Sequence, residues 1–154
     1  MHRVWRSLTV VVAVLACFYI WHFSLADGER SAITSGKAME WINGVLARLG
    51  VDYQFNHQTV RKIGHFVGYL ILGFLSVLAV WGVKIDGYPV VALSLCLAAA
   101  AVDEGLQLFS PGRVASVADV LLDGAGAACG ILLFSIPVSA LSIFFKNKVK
   151  KVEK

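Results

Sequence analysis

The residues able to do chemistry in this chain fall in three short stretches. Arg61, Lys62, His65 and Tyr69 come first, Asp103, Glu104, Gln107 and Arg113 next, and Asp119 and Asp123 last. Fixed cations such as Arg61, Lys62 and Arg113 suit a phosphate or carboxylate, held by charge-assisted hydrogen bonds. His65 with Asp103, Glu104 or Asp119 has the make-up of a general acid and base. As a metal set the same residues are thin, with one imidazole among carboxylates, and no metal or cofactor is expected. Ser110 and Ser116 flank the second stretch but read as turn residues, so no hydroxyl or thiol nucleophile accompanies the cluster.

These polar stretches interrupt a very apolar chain. Of its 154 residues 58% are hydrophobic, and the mean hydropathy of +0.73 is well above that of a soluble domain. Apolar runs cover Leu8 to Leu25, Ile63 to Trp81, Tyr88 to Val102 (continuing to Phe109), and Val117 to Ile136. Each is near the ~20 residues that cross a ~30 Å hydrocarbon core. A soluble helical bundle would need a polar face on every helix, and these runs lack one. The sequence therefore predicts an all-α integral membrane protein, a single domain over 1–154 with four spanning helices. The first run has the basic start of a secretory signal (His2, Arg3, Arg6), but its apolar stretch continues through Phe23 with no small-residue cleavage site. It reads as a span. Cys17, Cys96 and Cys129 all fall in spans and read as small apolar fillers.

Basic residues set the expected orientation. Arg3 and Arg6 at one end, and Lys146, Lys148, Lys150, Lys151 and Lys154 in a tail over 146–154 at the other, predict that both termini are cytoplasmic. The net charge of +4 is mostly this tail, which suits a membrane surface and not a nucleic acid. Residues 26–59 and 109–116 then form outer loops. In the first, Met39, Ile42, Leu46 and Leu49 recur at helical spacing and predict an amphipathic helix of about three turns on the membrane surface. Ser31 and Ser35 are candidate N-caps, and the helix could act as a lid. Trp5, Trp21, Trp41 and Trp81 read as interface anchors.

The three polar stretches reach one depth on one side. Arg61, His65 and Tyr69 are spaced by four and share a helix face. The uncharged residues from Val90 to Val102 rise about 20 Å before Asp103, which puts it a turn or two below the outer surface. Asp119 and Asp123 enter from that same side. A carboxylate at mid-membrane costs about 2.5–3.5 kcal/mol, less nearer the interface, so the acids should face inward and meet Arg61, Lys62, Arg113 and His65. Arg113, after a Pro-Gly turn, is expected to contact Asp103, Glu104 or Asp119 directly. Gly64 with Gly68, and Gly126 with Gly130, are GxxxG pairs suited to close helix contact.

Taken together, RKIGHFVGYLILGF, DEGLQLFSPGR and SVADVLLDGAGAACGILL resemble the VanZ-like family of bacterial membrane proteins over about residues 20–135. The matching positions are Arg61, Lys62, His65, Phe66, Tyr69, Asp103, Glu104, Gln107, Pro111, Gly112, Arg113, Asp119, Asp123 and Gly126. Gly64 stands where a small Ala is common. The resemblance implies a multi-pass protein of the bacterial cytoplasmic membrane. The family's founding member is an accessory factor in low-level resistance to teicoplanin-type glycopeptides, drugs that act outside that membrane on lipid-linked cell-wall precursors.

Three functions suit these residues. The first is binding of a membrane lipid or lipid-linked cell-wall molecule at the outer leaflet, in an enclosed polar site of Arg61, Lys62, His65, Tyr69, Asp103, Glu104, Gln107, Arg113, Asp119 and Asp123. The second is an enzyme acting on a lipid phosphate or related amphiphile, with His65 and Glu104 or Asp103 as acid and base. The third is a small proton-coupled transporter, which with only four helices would need the chain to oligomerise.

Overall fold

Short polar punctuation sets the helix boundaries. The computed structural model describes residues 2–25 and 28–152, with side chains over 4–25, at 29 and over 31–139. Its helices are α1 (His2–Ser24), α2 (Gly28–Arg48), α3 (His57–Val83), α4 (Tyr88–Gln107) and α5 (Val117–Val152). Asn56 caps α3 by accepting a hydrogen bond from the Thr59 backbone N–H at 2.8 Å. α3 ends on Lys84 in the left-handed conformation. Pro89 sits in the first turn of α4, where a missing N–H costs nothing.

Helices α1, α3, α4 and the Val117–Ser139 part of α5 are long and apolar enough to cross a membrane. Large apolar side chains such as Val90, Leu121, Leu132, Leu133 and Ile136 are exposed, as a lipid-facing surface requires. α5 runs on past Pro137 into the basic segment, whose lysine side chains lie outside the described residues.

The core and the polar cluster lie on the same helix stripes. On α4, Ala92, Cys96 and Ala100 are buried at intervals of four, and Asp103, Glu104 and Gln107 continue that face to the helix end. On α3, Tyr69, Leu72, Val77 and Val80 form the matching stripe, with His65 one turn above. Tyr69, Leu72, Cys96, Ala100 and Ala127 form one cluster, and Val77, Val80, Ala92 and Ile131 a second below it. The carboxylates are therefore the continuation of a core face.

α3 and α5 run parallel and make the most extensive contact in the bundle. Glycines decide it. A Cβ on Gly126 would overlap the Phe66 carbonyl, one on Gly130 the Leu70 carbonyl, and one on Gly73 the Ala127 backbone. The expected pair on α3 does not take part, because Gly64 has open space beside it and Gly68 makes only ordinary contact with Ile20. Gly73 is the small residue that α3 contributes.

Three further expectations change. α2 begins about three turns before Met39, at Gly28, so Ser31 and Ser35 lie inside it and not at its cap. Ser35 Oγ donates back to the Ser31 carbonyl at 2.8 Å, a local bond that lets a serine stay helical. Trp21, expected as an interface anchor, has a partner within the bundle: its Nε1 donates to the Ala99 carbonyl at 3.1 Å and ties α1 to α4. Cys129 is exposed, Cys96 is buried, and Cys17 lies between these extremes.

Candidate functional site

The site lies where α1 ends, α4 ends, and α3 and α5 begin. It forms three tiers that correspond to successive helical turns. At the rim, Asp119 in the first turn of α5 faces Arg61 Nη2 at 4.0 Å and Lys62 Nζ at 3.9 Å. These pairs are long and partly solvated, so each contributes at most about 1 kcal/mol.

One turn lower, His65 Nδ1 lies 3.5 Å from Asp123 Oδ2 and 3.7 Å from Asp103 Oδ2. Neither approach meets hydrogen-bond geometry, and Nδ1 and the oxygens of both aspartates lack partners. Ser24 stands beside Asp103 but outside hydrogen-bond geometry. Lower still is Tyr69, expected among the site residues on its helix face. It is fully buried in the core cluster, with its hydroxyl unpartnered and within electrostatic reach of both aspartates.

Glu104 does something else. Its Oε2 accepts from the Ser116 backbone N–H at 2.7 Å, and its Oε1 accepts from Gln107 Nε2 at 3.0 Å. Both oxygens are satisfied by groups that fix the connection between α4 and α5. Adjacent in sequence, Asp103 and Glu104 diverge by the ~100° that separates neighbours on a helix. One faces the imidazole and the other clamps the connection.

That connection aims Arg113. Pro111 and Gly112, the latter at φ 76°, form a tight turn closed by the Arg113 N–H donating to the Ser110 carbonyl at 3.2 Å. Glycine is needed at this position because a side chain disfavours positive φ. Ser110 is a buried tie, its Oγ donating to the Ser24 and Leu25 carbonyls at 3.4 and 3.3 Å. The guanidinium does not make the expected carboxylate contact. Among the described residues no carboxylate oxygen lies within 4.0 Å of it, and Nη1 donates to Ser31 Oγ on α2 at 3.4 Å, while the buried Nε has no partner. The reason is that Glu104 is already occupied by Ser116 and Gln107, while Asp119 is turned toward Arg61 and Lys62. Burial lowers the Arg113 pKa, and the nearby Arg61 lowers it further, while Asp103, Glu104 and Asp119 act against them. A half-buried guanidinium beside a second one, with no close counter-ion, is poised for an anion.

Both arginines line a cavity of about 740 Å³ between α1, α2 and α3. Its polar end is made by Arg61, His65, Arg113, Ser24, Ser31 and Ser35, and its apolar wall includes Leu15, Tyr19, Ile20, Phe23 and Ile71. The open space beside Gly64 belongs to this cavity. α2 covers it, docked against the start of α3 where Gly36 meets the His57 ring. Asn43 also holds the segment before α3, exchanging two hydrogen bonds with the Phe55 backbone at 2.9 and 3.1 Å.

The profile of the VanZ/LLP1 family matches residues 9–140. The chain belongs to this family. The match takes in α1 from Thr9 onward and reaches past Pro137, beyond the stretch delimited by the polar motifs alone. No curated protein and no solved structure matches the chain. Within this VanZ/LLP1 protein, His65, Asp103 and Asp123 come together, Arg61, Lys62 and Asp119 form the rim, and Arg113 stands with Ser31. Glu104 and Gln107 serve the connection, and Tyr69 underlies the site. Ser24, Ser31, Ser110 and the Ser116 N–H were not legible as partners, because serines in a long apolar chain carry no periodic signal of their own.

Proposed function

We propose that this VanZ/LLP1 protein binds an anionic amphiphile, a membrane lipid phosphate or a lipid-linked cell-wall molecule, at the outer leaflet. The observation that carries this reading is the cavity between α1, α2 and α3, which joins an apolar wall to Arg61 and Arg113. An acyl or prenyl chain fits beside Leu15, Ile20 and Ile71, and a phosphate can take hydrogen bonds from two guanidiniums. The basic ends of the chain support cytoplasmic termini in a bacterial cytoplasmic membrane, which turns the cavity toward the outer surface. α2 then serves as its cover. Family membership supports a contribution to teicoplanin-type glycopeptide resistance through such a ligand.

The test is binding of a polyprenyl phosphate, phosphatidylglycerol and phosphatidylcholine to the full chain in nanodiscs, with EDTA present. The anionic lipids should bind more tightly than the neutral one. Arg61→Gln and Arg113→Gln should each weaken that binding roughly ten-fold or more, as expected for a charge-assisted bond of about 1.5–3 kcal/mol. Equal affinity for neutral and anionic lipids, or no loss in either variant, would rule the reading out. In cells, deletion should change teicoplanin susceptibility, with His65→Asn failing to restore it at normal protein levels.

A second reading, an enzyme acting on a lipid phosphate, is favoured by His65 Nδ1 standing 3.7 Å from Asp103 Oδ2. In that case Asp103 and not Glu104 partners the imidazole, since both Glu104 oxygens are occupied. Time-dependent release of phosphate or headgroup, lost in His65→Asn, would favour it over binding alone.

A further inference from the structure

Three side chains from three helices converge at the base of the site without hydrogen bonds. His65 Nδ1 faces both aspartates, and one donor atom of each residue lies within 4.8 Å of the other two. Asp103 and Asp123 have no solvent exposure, and none of their four oxygens has a partner, nor does Nδ1. Neighbouring buried carboxylates repel each other and have lost the water that would solvate them. Arg61, Lys62 and Arg113 do not relieve this, because none comes within 4.0 Å of Asp103 or Asp123. We infer that His65, Asp103 and Asp123 form a binding site for a divalent cation, ligated by Nδ1 and by one oxygen of each aspartate.

A divalent ion cancels both carboxylate charges and gives the orphaned atoms their missing partner. Ligands about 2.1 Å from such an ion stand roughly 3.0–3.5 Å apart. The spacings at His65, 3.5 and 3.7 Å, are near that range, and the two aspartate oxygens lie within 4.8 Å of each other. Two carboxylates and one imidazole select a hard or borderline ion such as Mn²⁺, Mg²⁺ or Zn²⁺ over a soft one. Tyr69, buried and unpartnered beneath, can donate its hydroxyl proton to a carboxylate oxygen that the ion leaves free. His65 also lines the cavity, so the remaining coordination positions open toward Arg61 and Arg113, where an anionic oxygen can enter. The thin ligand set of the sequence becomes a triad because the helices add Asp123 to the pair His65 and Asp103. Cation binding here does not depend on whether the cavity takes a lipid.

The experiment uses the full chain, purified in detergent, stripped with EDTA and titrated with Mn²⁺ in the absence of added lipid. Electron paramagnetic resonance should show saturable binding near one ion per chain, with spin-echo modulation from a histidine nitrogen. The thermal midpoint should rise with Mn²⁺ concentration, since the ion binds the folded state. Asp123→Asn should weaken binding by at least the ~10–100-fold that loss of an outer partner costs, and His65→Gln should remove the nitrogen modulation. Asp86→Asn, an exposed carboxylate in the connection between α3 and α4, should keep both signals. No saturable binding of Mn²⁺ or Zn²⁺ to the wild-type protein overturns the inference without recourse to any variant. Binding without nitrogen modulation, or lost equally in Asp86→Asn and Asp123→Asn, also overturns it. In that event a protonated His65 between the two aspartates is the arrangement left. Because the lipid titration is run in EDTA, either result can fail while the other stands.

Discussion

Replacing Glu104 separates a structural clamp from a chemical group. The carboxylate accepts from the Ser116 N–H at 2.7 Å and from Gln107 Nε2 at 3.0 Å, and it is 4% exposed. In Glu104→Gln the amide oxygen can keep Ser116, and the amide NH₂ can donate to Gln107 if that side chain turns its amide over. Both bonds survive but lose their charge assistance, worth about 1 kcal/mol each. Removing a buried charge offsets part of this, so the net cost is about 1–2 kcal/mol. In Glu104→Ala a half-buried N–H and a buried amide are stranded, at about 1–3 kcal/mol each, for a total of roughly 3–5 kcal/mol. Unfolding in mixed detergent micelles measures the two costs, and hydrogen exchange at the Ser116 amide reports the clamp directly. The amide should exchange quickly in Glu104→Ala and slowly in Glu104→Gln. Equal destabilisation by the two variants, or a slow Ser116 amide in both, would refute the clamp.

The helix seam offers a second test: Gly130→Leu should destabilise the bundle by about 1–3 kcal/mol or more, because its Cβ meets the Leu70 carbonyl, whereas Gly64→Ala should be nearly neutral. Thermal unfolding of both variants in detergent checks this. Asn43→Ala should strand the Phe55 backbone and free α2 from the segment before α3, seen as faster proteolysis over residues 49–56 at little cost to the spanning helices. For orientation, a cysteine at position 45 should label from outside intact cells and one at position 150 should not, and the reverse pattern would invert the topology.

The sequence alone determined the class of fold and that its charged residues gather at one end of the bundle. Four apolar runs of spanning length leave few alternatives, since a backbone in lipid must satisfy its own hydrogen bonds. The cost of burying charge in lipid then required Asp103, Glu104, Asp119 and Asp123 to share an inward region with Arg61, Lys62 and His65. Helical spacing carried this as far as which residues share a turn. Spacing cannot say how one helix is rotated against another, and the remaining features turned on that. Interhelical rotation put Asp103 toward His65 and left Glu104 to bind Ser116 and Gln107, and it set Gly126 and Gly130 against the Phe66 and Leu70 carbonyls and Gly73 against Ala127, with Gly64 outside the seam. Arg113 was expected on a carboxylate because opposite charges attract. The tight turn at Gly112 and the competing partners of Glu104 and Asp119 instead left it with Ser31 on α2. The cavity was illegible for the same reason: it is a gap between three helices, bounded by residues far apart in the chain, and only their packing creates it.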